Sequence, residues 1–227
     1  MYDHQYVNES LISDKIRKVI LNFIISLILT FGTMIVTVHT NLIFKFVSDN
    51  SFKLLSISSL FPIIFPFIIN KLKWNLSKSL FYLYSILIGL ILSYAFIKYG
   101  ISIMIFSLLC TIAIFVVMAL FGYFTREDLE RYRVLLKIAL FFLITTFLIN
   151  LYFGVYILHW IIGYWSIGIF ISFIGYDMYH IKNQLIDIIK QKRIEFNQVT
   201  ILGSFQFYFD FLILGLAIMS IFGKIFV

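Results

Sequence analysis

The chain has 227 residues, of which 62% are hydrophobic and only 13% are charged. Soluble globular domains are about half apolar and about a quarter charged, so this composition excludes a soluble domain and, equally, a disordered chain. A single cysteine, Cys110, excludes an intrachain disulfide and a thiolate zinc site. We therefore expect an integral membrane protein with almost no domain outside the bilayer.

Long uncharged runs mark the expected membrane crossings, since one helical crossing needs about 20 mostly apolar residues. One run, 138–176, is too long for a single helix, and Gly154 within 150–156 divides it into two spans joined by a short hairpin. The sequence thus predicts an all-α protein in which an N-terminal segment, 1–18, precedes one domain of seven transmembrane helices, 19–227. The predicted spans are 19–38, 54–70, 79–97, 99–125, the two halves of 138–176, and 196–223.

The distribution of Lys and Arg predicts which side each loop faces, because positive residues are retained on the cytoplasmic side. Fourteen of the 18 lie in the N-terminal segment or in the loops after the second, fourth and sixth spans, and four lie on the opposite side. The N-terminus of this multi-pass cell-membrane protein is therefore expected in the cytoplasm and the C-terminus outside. The same asymmetry accounts for the net charge of +7, so the lipid bilayer is the expected partner and nucleic acid is not.

Asp210 interrupts the seventh predicted span. A carboxylate in hydrocarbon costs about 2.5–3.5 kcal/mol on insertion scales, which makes this residue a functional candidate. Gly203, Gln206 and Asp210 share one small, polar face by their spacing of three and four residues, and that face is expected to point away from lipid. The alternative reading is a purely structural acid that bonds a neighbouring helix.

Asp177 lies near the cytoplasmic end of the sixth predicted span, about one turn inside the boundary. Because spans six and seven are joined on that side, Asp177 and Asp210 are expected at similar depth and within reach of each other. Two close buried carboxylates cannot both ionise cheaply, so the pair would hold a proton or offer oxygen ligands to a cation such as calcium. An acid one turn from the interface can also simply be solvated, and the remaining acids of the chain are interpreted as solvated surface.

Three segments resemble stretches of the transmembrane Bax inhibitor motif family. FGYFTREDL at 121–129 resembles that family's G-Y-x-T-x-x-D-L after the fourth helix, and GYDMYHIK at 175–182 is similar to its Y-D-x-x-x-I-K at the end of the sixth. FYFDFLIL at 207–214 is similar to its L-Y-L-D-F-x-N-L-F in the seventh helix. The order and spacing of the three segments agree as well, so the detailed resemblance covers the chain from about residue 122 onward.

The resemblance implies a fold with six helices around a central seventh, and a pH-sensitive calcium leak channel with no catalytic site and no cofactor. It implies that Asp177 and Asp210 are the paired aspartates that sense pH and meet calcium as the transported ion. It also implies a basic latch on the second helix, for which Lys71 and Lys73 are the candidates. An ionised pair at neutral or higher pH would repel or bind cation, and shared protons at low pH would tighten it, although a latch would alter that direction.

Two features depart from the family pattern. The second predicted span carries Ser58 and Ser59 where relatives can carry an ion-pathway carboxylate, so the ion selectivity is expected to differ. The loop at 181–199 is also expected to be long for the family. Pro62 and Pro66, in the same second span, each remove a backbone hydrogen bond and predict either a static kink or a gate that moves.

Two other functions remain open from the residues. An intramembrane aspartyl protease also uses a Tyr-Asp and a second Asp on consecutive helices, and Tyr176-Asp177 fits the first half. The second half requires Gly-x-Gly-Asp, whereas Asp210 follows Phe207-Tyr208-Phe209. A membrane stress regulator without transport is the other alternative, with basic loops that contact anionic lipid or protein partners. A channel predicts ion flux from the purified protein alone, whereas a regulator predicts none.

Overall fold

The computed structural model of the chain describes residues 2–40, 65, 72, 74–190 and 196–225. Within these residues the fold is entirely helical, with no β-strand. The long helices are α1 (Tyr2–His39), α2 (Trp74–Tyr99), α3 (Ile101–Phe124), α4 (Arg133–Phe153), α5 (Tyr156–Lys190) and α6 (Phe196–Ile225), and a short 3-10 helix, η1 (Leu129–Tyr132), precedes α4. All six long helices contain stretches long and apolar enough to cross a membrane.

The first predicted span and the third to seventh each coincide with one of these helices, which confirms an all-α membrane protein. The second predicted span, 54–70, lies outside the described residues apart from Phe65, so the count of seven helices stays a prediction. The N-terminal segment, 1–18, was expected to precede the first span, and α1 continues through it without a break from Tyr2.

The expected long loop at 181–199 is wrong, because α5 continues to Lys190 and α6 begins at Phe196. Ile181, Leu185 and Ile188 are buried at spacings of four and three residues, which is the apolar stripe of an amphipathic helix. The charged residues on the opposite face led the prediction to end the helix too early. The sixth crossing therefore ends well beyond the point at which charges first appear.

The break between α4 and α5 falls at Gly154, as predicted. Gly154 has a φ of 61°, a left-handed conformation that glycine adopts without the steric cost of a β-carbon. Its N–H donates to the carbonyl of Asn150 at 2.8 Å, which closes the last turn of α4. This turn separates a run of 39 uncharged residues into two helices.

The chain divides into two compact units. The first comprises Met1–Gly100 and Asn183–Tyr208, and the second comprises Ile101–Lys182 and Phe209–Val227. Helices α5 and α6 thus contribute residues to both. The described part of α6 is also the most buried of the candidate spans, with 61% of its apolar window buried against 11% for α3. That burial suits the helix expected at the centre, while the arrangement of six helices around it stays a prediction.

Polar contacts inside the first unit join three helices. Tyr208 of α6 is fully buried, and its hydroxyl lies 2.6 Å from the hydroxyl of Thr30 on α1. With Tyr208 as donor, Thr30 is left to donate to the backbone carbonyl of Ser85 on α2, 3.0 Å away. The ring of Phe81, also from α2, packs edge-on against that of Tyr208 with centroids 5.5 Å apart. An apolar core with a few satisfied hydroxyl bonds is the usual way in which membrane helices associate.

In the second unit, α3 and α5 cross at a pair of glycines. A β-carbon on Gly122 would lie 2.1 Å from the carbonyl oxygen of Gly175, a distance that no side chain permits. Small residues at such a crossing let two backbones approach closely. Helix α6 packs on α3 in the same unit through Phe211 and Phe115, whose rings meet edge to face at 5.7 Å. Since Gly175 directly precedes Tyr176-Asp177, this crossing sets the position of the second motif.

Candidate functional site

Asp177 on α5 and Asp210 on α6 are brought into direct contact. Both side chains are buried, with only 5% and 4% of their surface exposed. Their carboxyl groups are hydrogen-bonded to each other. An ionised carboxylate only accepts hydrogen bonds, so this contact requires at least one proton on the pair. The contact expected from the sequence is therefore present.

The position of the two aspartates along their helices explains why they meet. Asp177 lies 13 residues before Lys190, where α5 ends, and Asp210 lies 14 residues after Phe196, where α6 begins. At about 1.5 Å per residue, each carboxyl is therefore about 20 Å along its helix from the connection. Two consecutive helices that run back along each other bring such residues to the same level. The aspartates also lie deeper than the single turn expected from the sequence.

One oxygen of the pair has no protein partner. Asp210 Oδ2 is buried and makes no hydrogen bond to any residue in the described part of the chain. A buried polar atom without a partner costs free energy, so native structures keep few of them and often at functional positions. The pair is also flanked one turn away by the fully buried Ile174 on α5 and Leu214 on α6. This oxygen is therefore the atom best placed to take up a second proton or a cation.

The arrangement can bind protons and can offer oxygen ligands to a cation. Two carboxylates supply at most four oxygens, whereas calcium in proteins takes about six to eight. No group of three or more His, Cys, Asp and Glu side chains that could hold a metal occurs in the ranges that the structure describes. Asp177 and Asp210 would therefore meet calcium as a passing substrate, with the rest of its shell from water or backbone carbonyls.

The predicted latch residues fall elsewhere. Lys71 and Lys73 both lie outside the described residues, as do Ser58, Ser59 and the two prolines of the second predicted span. The role of this span as a latch or gate stays a prediction.

A second cluster, next to the aspartates, went unrecognised in the sequence. Glu130 of η1 accepts a hydrogen bond from the Tyr176 hydroxyl at 3.0 Å, and its other oxygen contacts Nδ1 of His180. The rings of Tyr176 and His180 are stacked, with centroids 5.5 Å apart and planes 15° from parallel. The interpretation of Glu130 as solvated surface is therefore wrong. The available signal was the spacing of Tyr176 and His180, which places both side chains on one helix face.

The same two motifs are joined by a basic side chain. Lys182 Nζ donates to the backbone carbonyl of Tyr123 at 2.7 Å and lies 4.8 Å from the centre of the Tyr123 ring. Tyr123 is the second-last residue of α3, where the helix leaves carbonyls without intrahelical partners and favours a positive charge. In addition, Tyr179 donates to Asp128 at 3.2 Å. The segments 121–129 and 175–182 therefore meet through side chains as well as through the glycine crossing.

Comparison with known proteins agrees with this arrangement. Residues 12–226 match the family model Bax1-I, described as inhibitor of apoptosis-promoting Bax1. The chain is 32% identical over 162 residues to the inner membrane protein YbhL of Escherichia coli K12, which covers 71% of this chain and 69% of that protein. It is 30% identical over 157 residues to an uncharacterized protein of Borreliella burgdorferi, with 69% and 67% covered.

Proposed function

The chain belongs to the Bax inhibitor family of membrane proteins, and we propose that it is a pH-sensitive leak channel for calcium ions in the cytoplasmic membrane. The observation that carries the proposal is the hydrogen bond between the buried carboxyls of Asp177 and Asp210. It supports a proton-dependent contact between two membrane helices. The fold and the family match support a membrane protein, and the leak and its gating are our inference.

Proton loss is the proposed trigger. While a proton is shared, the two carboxyl groups attract each other and hold α5 to α6 at this level. Once both are ionised, two negative charges at hydrogen-bond distance repel strongly because the surroundings are apolar. The pair then separates or binds a cation, and either change favours calcium passage. We therefore expect the leak to increase as the pH rises.

The orphaned oxygen of Asp210 supports the same assignment. A structural carboxyl pair would be expected to satisfy every oxygen, since an unmet buried acceptor destabilises the fold. Asp210 Oδ2 has no partner among the described residues. An oxygen of this kind suits a group that exchanges protons or contacts a passing ion.

The test is calcium flux into liposomes that hold the purified protein, measured from about pH 6 to about pH 8. Wild-type flux should rise with pH by at most about tenfold per unit, the limit for a single shared proton. Asp210→Asn and Asp177→Asn should flatten this dependence, because an amide pairs with a carboxyl without needing that proton. Asp187→Asn removes an exposed acid from the same helix α5 and should leave the profile unchanged.

Each failure has its own meaning. A pH-dependent flux that survives both substitutions would overturn the aspartate pair as the sensor. An absence of flux at every pH would overturn the channel and favour the membrane stress regulator.

An intramembrane aspartyl protease is the second candidate, because such enzymes also share one proton between two aspartates. The residues before Asp210 argue against it. Phe207 and Tyr208 are almost fully buried, and Phe209 packs edge-on against Phe170 with centroids 6.2 Å apart. A protease needs glycines there so that a substrate backbone can approach the acid. Cleavage of a membrane peptide that Asp210→Asn abolishes would favour the enzyme.

A further inference from the structure

A buried acid–histidine contact lies one helical turn from Asp177. Glu130 reaches α5 from η1 and contacts two residues of that helix, His180 through one carboxyl oxygen and Tyr176 through the other. The side chain of His180 is 18% exposed and that of Glu130 35% exposed, so both are shielded from bulk water more than an ordinary surface pair. The other acid–base pair of the same segment, Glu127 and Arg131, is 72% and 56% exposed.

We propose that Glu130, Tyr176 and His180 form a proton-dependent clasp that positions Asp177 for its contact with Asp210. Tyr176 is adjacent to Asp177 in the chain, so a bond that fixes Tyr176 also fixes the turn of α5 that carries the aspartate. Glu130 is in this sense a positioning residue, since it acts on Asp177 only through Tyr176 and His180. The regulation of the leak by this clasp rests on the proposed function, whereas the clasp itself does not.

The chemistry of histidine makes the clasp depend on pH. Imidazole is the side chain that gains its charge between about pH 8 and about pH 5. A protonated His180 meets the Glu130 carboxylate as an ion pair with a hydrogen bond, which is about twice as strong as a neutral bond. The stacked ring of Tyr176 also attracts a protonated imidazole more than a neutral one. The clasp therefore tightens as the pH falls toward 6 and loosens as it rises.

The charges around the clasp are nearly balanced, which leaves the proton on His180 as the principal variable. The two acids of the turn, Asp128 and Glu130, are matched by two basic residues, Arg133 and Lys182. Arg133 acts electrostatically on both Glu130 and Tyr176. The titratable and charged groups that face the clasp are Tyr123 of α3, Asp128 beside η1, Arg133 of α4, and Asp177, Tyr179 and Lys182 of α5 itself.

The clasp and the aspartate pair respond to pH in the same direction. A falling pH charges His180 and keeps a proton on the Asp177–Asp210 contact, so both changes hold the second unit together. A rising pH weakens both. Two linked proton-binding contacts give a steeper response than one, and each sets the pH at which the other releases its proton.

The first test measures thermal unfolding of the purified full-length protein at a series of pH values from about 6 to about 8. His180→Gln and Glu130→Gln should lower the melting temperature more at low pH than at high pH, since the charged pair exists mainly at low pH. Tyr176→Phe, which removes only the neutral donor, should lower it by the same amount at every pH. Glu127→Gln, the matched change at the exposed pair, should follow the wild type throughout.

The second test measures calcium flux through the same variants in liposomes. His180→Gln and Glu130→Gln should shift the midpoint of the pH profile downward, by up to about one pH unit for a charged hydrogen bond of ordinary strength. The maximum flux at high pH should stay unchanged, whereas Asp210→Asn flattens the profile.

The outcomes separate the clasp from the leak. A destabilisation by His180→Gln that is equal at all pH values would overturn the proton-dependent clasp and leave a structural contact. An effect of Glu127→Gln as large as that of Glu130→Gln would overturn it too. If no variant and no wild-type sample conducts calcium, the proposed function fails, and the melting curves still decide the clasp.

Discussion

Asp177 and Asp210 lie on consecutive helices, at 13 and 14 residues from the two ends of their connection, and their buried carboxyls are hydrogen-bonded. A bond between two acids exists only while a proton is present. The packing of α5 against α6 inside the second unit is therefore tied to proton binding. This relationship connects the fold of the chain to a chemical signal.

Folding stability should depend on pH through this pair. The folded protein keeps a proton on the pair at pH values where separate carboxyls in the unfolded chain have released theirs. Because the folded state then binds more protons, stability falls as the pH rises, by at most about 1.4 kcal/mol per unit for one proton. Asp210→Asn should therefore stabilise the protein relative to wild type at about pH 8 and lose that advantage near pH 5. Melting curves in detergent would check this, and Asp187→Asn, at the exposed acid on α5, is the control.

The buried hydroxyl contact between Tyr208 and Thr30 should stabilise the first unit. Tyr208→Phe removes one hydrogen bond of 2.6 Å and leaves Thr30 bonded to the Ser85 carbonyl. Hydrogen bonds between membrane helices contribute about 0.6 kcal/mol on average and up to about 1.7. We expect a loss of about 1 kcal/mol, close to the upper part of that range, because both side chains are fully buried.

A double-mutant cycle with Thr30→Val would isolate the coupling between these two side chains. Additive effects of the two substitutions would contradict a direct bond. Tyr179→Phe, which removes a hydroxyl bonded to exposed Asp128, should cost less than Tyr208→Phe.

The crossing of α3 and α5 should not tolerate a side chain at Gly122. A β-carbon there would lie 2.1 Å from the Gly175 carbonyl oxygen, so Gly122→Ala must push the two backbones apart. We expect a destabilisation of about 1–3 kcal/mol, the usual cost of overpacking. The same change should shift the pH profile of the leak, since Gly175 directly precedes Tyr176-Asp177.

Gly168→Ala is the matched control for this crossing. It lies on α5 with no atom within 4 Å of the added β-carbon, and alanine is the better helix former by about 1 kcal/mol. A neutral or stabilising effect is expected. Equal losses for both glycines would show that helix propensity, and not the crossing, governs this region.

The orientation of the chain can be tested by chemical labelling. In a Cys110→Ser background, Val155→Cys places a thiol in the α4–α5 turn and Glu127→Cys places one between α3 and η1. Both positions are exposed. A membrane-impermeant maleimide added to intact cells should label position 155 and not position 127, since basic residues near 127 are retained in the cytoplasm. The reverse labelling pattern would contradict the predicted topology.

The general architecture followed from the sequence because bilayer thickness imposes a strong constraint on it. Long uncharged runs predicted every described crossing, and Gly154 divided the longest run correctly. Asp177 and Asp210 were recognised because an acid in an apolar helix is costly and therefore informative. Helix ends were predicted less well, as residues 181–190 show, because an amphipathic helix continues past charged residues when its other face is buried.

By itself, the sequence determined that the chain is a helical membrane protein, which of its acids are costly, and which motifs it shares with a family. Only the tertiary structure decided which side chains meet. The contact of Glu130 with Tyr176 and His180 joins residues 46 and 50 positions apart, and the Thr30–Tyr208 bond joins residues 178 positions apart. Such pairs depend on how close two helices approach and how far each is rotated about its axis. These quantities are set by packing at Gly122 and Gly175, which composition and periodicity alone do not encode.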